Sequence, residues 1–207
     1  MKALLCEHYG EPEELQLRDV PLPEPGSGQV RLRVAATGVN FPDGLIVRNL
    51  YQIQPQLPFS PGGEVSGTID ALGEGVTDWA VGDRVAAMTL HGGMAEGVLV
   101  EAKRLVALPD TMPFDIAAVF IMAYATALHA LKQRAMLQPG ETLLVLGAAG
   151  GVGLAAVEVG KAMGARVIAA ASSADKLDLA KAHGADACIN YAEENLRDAV
   201  RALTGGD

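Results

Sequence analysis

The chain has little of what would tie it to a nucleic acid, a membrane or an oxidising compartment. Cysteine is scarce: Cys6 and Cys188 are the only two in 207 residues. Two distant thiols cannot make a disulfide framework or a structural zinc cluster, so a reducing setting is expected. Basic charge is scarce as well. Sixteen Lys and Arg against 25 Asp and Glu leave a net charge of −9, and no basic field is available to attract a phosphate backbone or an anionic lipid surface. Long hydrophobic runs are missing. The longest, 117–131, spans about 15 residues and contains Thr126 and His129, short of the ~20 that a membrane span needs. A secretory leader is not expected either, because Met1-Lys-Ala-Leu-Leu-Cys-Glu7 turns acidic after three apolar residues. These absences point to a cytoplasmic protein with a small-molecule partner, no nucleic acid and no membrane.

What is present is apolar and rich in glycine. Half the residues are hydrophobic and 24 are Gly, which favours a globular α/β protein. Residues 1–112 read as short strands between turns. Val30-Arg-Leu-Arg-Val34 alternates, Glu64 to Leu72 lies between glycine pairs, and Gly82-Asp83 turns into Arg84-Val-Ala-Ala-Met88. Val98 to Val100 and Arg104 to Leu108 complete a small barrel or folded sheet. From residue 113 to 207 the texture changes. An Ala-rich helical stretch, Phe114 to Arg134, leads to strand 142–147, helix 151–163, strand 165–171, helix 174–182, strand 187–190 and helix 193–203. Gly164 and Gly184 stand where helix C-caps belong, and Ser173 or Asp175 can cap the second of these helices. The βαβαβα run is one half of a doubly wound parallel sheet, a partial Rossmann domain.

The glycine turn carries the chemistry. Leu143 to Leu146 is a continuous apolar run, as a strand covered on both faces requires. Ala148-Ala149-Gly150-Gly151-Val152-Gly153 follows and opens a helix. A small turn lets backbone N–H groups approach a pyrophosphate, and the helix N-terminus adds unpaired donors and a favourable dipole. An NAD site commonly sets Asp or Glu at the end of the second strand. This chain reads Ala169-Ala-Ala-Ser-Ser-Ala-Asp-Lys176 there. With no acid at the strand end, Ser172 and Ser173 can hydrogen-bond a 2′-phosphate and Lys176 can supply charge, which favours NADPH. Asp175 opposes that reading if it turns inward.

Five separated motifs give a resemblance: Gly38-Val-Asn-Phe-Pro-Asp43, Pro61-Gly-Gly-Glu-Val-Ser-Gly67, Gly82-Asp-Arg-Val85, Ala123-Tyr-Ala-Thr-Ala127 and Ala148 to Gly153. In this order the chain resembles the medium-chain dehydrogenase/reductase superfamily, and within it the zeta-crystallin-like NADPH:quinone reductases. The resemblance implies a GroES-like β-rich domain followed by a Rossmann domain. It also implies that about a third of a typical chain of this kind is missing from the C-terminal side, and that a full-length relative is a homodimer. Zinc-dependent members place Cys and His where this chain has Asn40 and Gly63, which implies a reaction without zinc. Tyr191 and Thr126 match positions near the 2′-phosphate and the nicotinamide end of the cofactor. Asn40, Asp43 and Tyr51 lie in the segment that lines the substrate cleft, where Tyr51 can donate a hydrogen bond or a proton to the charge that forms after hydride arrives. Met94 and Gly97 replace aromatics found in many relatives. The resemblance therefore implies hydride transfer from NADPH to a quinone. An alkenal or enoyl-thioester reductase and a cofactor-binding protein without activity stand as alternatives.

Overall fold

The structure is a computed structural model that describes residues 1–206. It forms two compact units, Met1–Ile121 and Met122–Asp207. The change of texture at residue 113 thus falls inside the first unit rather than between the two.

The first unit opens with an antiparallel pair, β1 (Lys2–Leu5) and β2 (Gln16–Asp19), which sequence pattern does not reveal. Every residue of β2 is exposed, so no alternation marks it as a strand. Then come β3 (Gln29–Gly38), α1 (Phe41–Val47), β4 (Glu64–Leu72), β5 (Arg84–Met88), β6 (Gly97–Glu101) and β7 (Leu105–Ala107). They form a five-stranded sheet in the order β6-β3-β4-β5-β7, antiparallel throughout. Strand β3 runs four residues beyond the alternating stretch, because two bulges let it turn with β4 and keep pairing. The inward residues Val30, Leu32, Val65, Ile69 and Val85 are at most 1 % exposed, and burying each contributes about 1.5–3 kcal/mol. In β3–β4 register, Gly38 faces Glu64. The segments that leave β3 and enter β4 therefore start from one place, which brings Asn40 to Gly62 and Gly63. Helix α2 (Phe114–Ala117) is fastened to this sheet. Ser66 Oγ donates to Phe114 O at 2.5 Å, and the Arg84 guanidinium lies 4.3 Å over the Phe114 ring. The ring face gives that half-buried cation an electrostatic partner, while its buried Nε has no hydrogen-bond acceptor.

The helical stretch 114–134 stands where the sequence places it, but it is longer than the apolar run 117–131 inside it. It spans 21 residues with mean hydropathy 1.7, long and apolar enough by length and composition to cross a membrane. Helical geometry continues past the apolar run at both ends, through Asp115 and through Lys132 to Arg134. Part of it is π-helical, at Ile121–Ala125 and His129–Arg134, on either side of α3 (Thr126–Leu128).

The second unit holds β8 (Thr142–Leu146), α4 (Gly151–Ala162), β9 (Arg166–Ala171), α5 (Ala174–Ala182), β10 (Ala187–Asn190) and α6 (Leu196–Thr204). The three strands are parallel in the order β10-β9-β8. Central β9 is fully covered, with Val167 to Ala171 at most 1 % exposed. Strand β8 is an edge here, so Leu146 is 60 % exposed although its run reads as buried. Gly164 and Gly184 follow α4 and α5 with φ of 84° and 107°, the left-handed C-cap expected of them. Helix α6 starts at Leu196 rather than 193. The turn after β10 is closed by Glu193 and Glu194 N–H groups donating to Asn190 O, and the Asn195 side chain then caps the helix by accepting from Asp198 N at 3.2 Å.

Candidate active site

In the second unit, the C-terminal ends of β8, β9 and β10 lie along one edge, where ligands of open parallel sheets bind. Ala148 is fully buried in the core, with its N–H donating to Ala170 O at 3.2 Å, and Ala149 is half-buried. The chain then turns at Gly150, the N-cap of α4, and Leu154 N donates to Gly150 O at 2.7 Å. The N–H groups of Gly151, Val152 and Gly153 fall in the first turn, which has no intrahelical acceptor. The glycines have different tasks. A Cβ on Gly153 would sit 2.3 Å from Gly147 O, so close packing of helix on turn demands glycine there. A Cβ on Gly151 would meet nothing within 4 Å. The approach to the helix N-terminus is open, as a pyrophosphate needs.

The end of β9 supplies the next contacts. Lys176 Nζ donates to Ser172 Oγ at 3.3 Å, so the cation and the hydroxyl already form a pair. Ser173 occupies the N-cap position of α5 but makes no side-chain cap hydrogen bond, which leaves its hydroxyl out of the helix's own bonding. Tyr191 N donates to Ala171 O at 3.1 Å, which fixes Tyr191 beside the same strand end, and its side chain is 43 % exposed. Asp175 is exposed in the first turn of α5. Thr126 is exposed at the start of α3, between the two π-helical stretches, a geometry frequent at functional sites. Helix α3 packs on α4, the helix that begins at the glycine turn.

In the first unit, Asp43 is a buried carboxylate, 4 % exposed. Its Oδ2 accepts from Asn40 N at 2.7 Å, closing the start of α1, and its Oδ1 accepts from Gly62 N and Gly63 N at 3.2 and 3.0 Å. Three backbone donors occupy both oxygens, so Asp43 holds the loop in place. Asn40 is half-buried, and its Nδ2 donates to Glu64 Oε2 at 3.2 Å; Glu64 is fully buried. Tyr51 is half-buried and packs against Cys6, Ile46, Val47 and Phe59. Among the described residues no group of three or more His, Cys, Asp or Glu is placed to hold a metal ion.

A polar cluster in the second unit escapes sequence reasoning. Tyr124 Oη donates to Glu158 Oε2, and His183 Nδ1 lies 2.5 Å from Glu158 Oε1. The Tyr124 and His183 hydrogen bonds hold the Glu158 carboxyl below its usual range, while the bond to Glu158 raises the Tyr124 hydroxyl. The three residues tie the 122–134 helix, α4 and α5 together. No spacing rule links positions 34 and 25 residues apart.

Residues 26–110 match the alcohol dehydrogenase GroES-like domain, and residues 151–207 match the zinc-binding dehydrogenase domain. The chain is 40 % identical over 205 residues to quinone oxidoreductase-like protein 2 of Rattus norvegicus, covering 99 % of this chain and 58 % of that one. The structure of Escherichia coli quinone oxidoreductase complexed with NADPH superposes with a TM-score of 0.94 at 32 % identity, over 100 % of this chain and 63 % of the other. An NAD-dependent alcohol dehydrogenase structure gives 0.91 at 33 % identity, over 100 % of this chain and 68 % of the other. The chain spans 56 to 63 % of the length of the curated relatives it matches.

Proposed function

The chain belongs to the medium-chain dehydrogenase/reductase superfamily, and on that premise we propose that it is a zinc-independent, NADPH-dependent quinone reductase. The observation that carries the cofactor choice is the end of β9. There the Ser172–Lys176 pair stands beside an open glycine turn, in the place of the acid that an NAD site commonly uses. NADPH, when bound, supplies a hydride. Backbone N–H groups of Gly151, Val152 and Gly153 hold its pyrophosphate, since those of Ala148 and Gly150 are already spent on Ala170 O and Gly147 O; Ser172, Ser173, Lys176 and Tyr191 hold the 2′-phosphate, and Thr126 meets the nicotinamide end. On the acceptor side, Asn40 and Tyr51 offer hydrogen bonds, and Asp43 keeps Asn40 and the glycine loop in register. Asn40 and Gly63 carry neither imidazole nor thiolate, so no zinc polarises the acceptor. A quinone suits such a site because its conjugation draws the electrons without a Lewis acid.

Quinone oxidoreductases among the relatives support this reading over the alkenal and enoyl-thioester alternatives. The acidic net charge supports a small-molecule partner over a nucleic acid or an anionic membrane surface, and the scarcity of cysteine supports a reducing, cytoplasmic setting. The Tyr124–Glu158 bond supports a helix docked on protein rather than in lipid. The full-length protein is read as a homodimer. The test is NADPH oxidation by the full-length protein with benzoquinones, enals and enoyl thioesters as acceptors, with total zinc measured alongside. Quinone turnover without bound zinc is expected. Turnover confined to enoyl thioesters, or lost on removal of a stoichiometric zinc, overturns the reading.

A further inference from the structure

We propose that His91 donates the proton that completes acceptor reduction. The inference rests on the quinone reductase reading. Its basis is a loop that strand pairing folds back over the Asp43-held glycines. Glu64 pairs with Met88 in the β4–β5 register, and residues 89–94 then cross the 60–63 segment. Five backbone bonds hold the crossing: Thr89 N and Leu90 N to Gly63 O at 2.9 and 3.3 Å, Gly92 N to Ser60 O at 2.6 Å, Gly93 N to Gly62 O at 3.0 Å, and Met94 N to Pro61 O at 2.8 Å. His91 is the apex of this crossing. The backbone is left-handed on both sides of it, with φ of 69° at Leu90 and 98° at Gly92. A leucine in that region is strained, and such strain gathers where a side chain must be presented in one direction.

The imidazole meets the Phe59 ring edge-on, with centroids 6.1 Å apart and planes at 74°, and the residue is exposed. Tyr51 packs against the cluster that contains Phe59. Exposed apolar residues flank Asn40 on both sides and precede Tyr51 and His91 in the chain. Val39 and Phe41 are 77 % and 81 % exposed, Leu50 is 68 % and Leu90 is 41 %. Polar groups edged by bare apolar ones suit a planar acceptor with an oxygen to protonate.

Reduction of a quinone by two electrons needs a hydride and a proton. Hydride arrival leaves the hydroquinone monoanion. The imidazolium N–H bond of His91 then breaks, an O–H bond forms on the phenolate oxygen, and water returns a proton to the ring. No electrons pass through the histidine. Titratable groups around the loop leave His91 this task. Asp43 is engaged by three backbone N–H groups, Glu64 is buried against Asn40, and Tyr9 Oη donates to Pro55 O at 3.0 Å. Cys6 and Tyr51 complete the set around Phe59. Burial lowers the His91 pKa below the ordinary histidine value, which makes the imidazolium a stronger acid. The protonated form is the donor, so its contribution is present below that pKa and is lost as pH rises through it.

The experiment uses the full-length protein with His91→Gln and His91→Ala. Turnover on benzoquinone should fall about 100-fold, with NADPH affinity unchanged within about twofold. The fall of kcat/KM with rising pH should vanish in both variants, and added imidazole should restore turnover in His91→Ala. Full turnover with the parent pH profile in both variants overturns the proposal. A parent protein that reduces no acceptor would defeat the quinone reductase reading instead. The His91 imidazole NMR signals, assigned by their loss in His91→Gln, then decide. Adding hydroquinone with NADP+ should shift them, and signals that do not move overturn the proposal on their own.

Discussion

Removing the Asp43 carboxylate should damage the fold of the first unit more than any other single polar change there. Asp43→Ala strips the acceptor from three backbone N–H groups, those of Asn40, Gly62 and Gly63, at a site only 4 % exposed. A buried donor left unpaired costs about 1–3 kcal/mol. The Gly62 bond is long at 3.2 Å and Asn40 is half-buried, so the lower half of the range applies to those two. The sum is about 3–7 kcal/mol, a large part of the 5–15 typical of a domain. Asp43→Asn keeps the shape but sets an NH2 against at least one N–H donor, and should cost about 2–4 kcal/mol. Trp79 is the only tryptophan, and its Nε1 donates to Ala102 O at 3.1 Å inside the first unit, so its fluorescence follows that unit alone. In urea, with a slope of about 1–3 kcal/mol per molar, the Trp79 midpoint should drop by 1 M or more in Asp43→Ala. Glu7→Gln is the control. It breaks the exposed Glu7–Arg18 pair and should move the midpoint little, since such pairs contribute about 0–1 kcal/mol. A loss below about 1 kcal/mol in Asp43→Ala would refute the assignment of Asp43 as the clamp of the glycine loop.

Three further outcomes follow from the second unit. Gly153→Ala should lower thermal stability and cofactor binding together, because its Cβ would fall 2.3 Å from Gly147 O, whereas Gly151→Ala should leave the melting temperature intact and weaken only NADPH binding; calorimetry beside fluorescence titration separates them. Lys176→Ala should weaken NADPH about tenfold or more and leave NADH nearly unchanged, as loss of one charge-assisted contact of about 1.5–3 kcal/mol requires; equal losses for both cofactors would count against the 2′-phosphate site. Glu158→Gln should destabilise the second unit at neutral pH but not in acid. The folded carboxyl is held low by Tyr124 and His183, so its contribution is present above the unfolded carboxylate pKa and fades as pH falls through the folded one. A stability gap between parent and variant that persists unchanged into strong acid would argue that the carboxylate charge is irrelevant.

Much of the second unit was legible residue by residue. Helix 174–182 and strand 187–190 stand where hydrophobic pattern and glycine stops place them, as does strand 64–72 in the first unit. These are local signals. Backbone preference at a glycine and apolar period along a strand act over a few residues, so the chain carries them wherever it folds. The glycine turn was readable for the same reason: a strand, Ala148 to Gly153 and a helix form one continuous stretch. Other features depend on which distant segments come together. Strand β2 has no buried residue, and only its pairing with β1 makes it a strand. Asp43 stood out in the sequence as a cleft residue, but the β3–β4 register spends its oxygens on N–H groups 19 and 20 residues away. Nothing in its neighbouring sequence marks His91, and only the β4–β5 register folds its loop across Gly62 and Gly63. Likewise Glu158 gains Tyr124 and His183 only when two helices pack beside α4. The sequence by itself determined the order of elements in the second unit, the glycine turn and the acid-free strand end, because each is written in neighbouring residues. Tertiary structure alone decided which buried carboxylates hold backbone and which distant polar side chains come together, because strand register and helix packing set those distances.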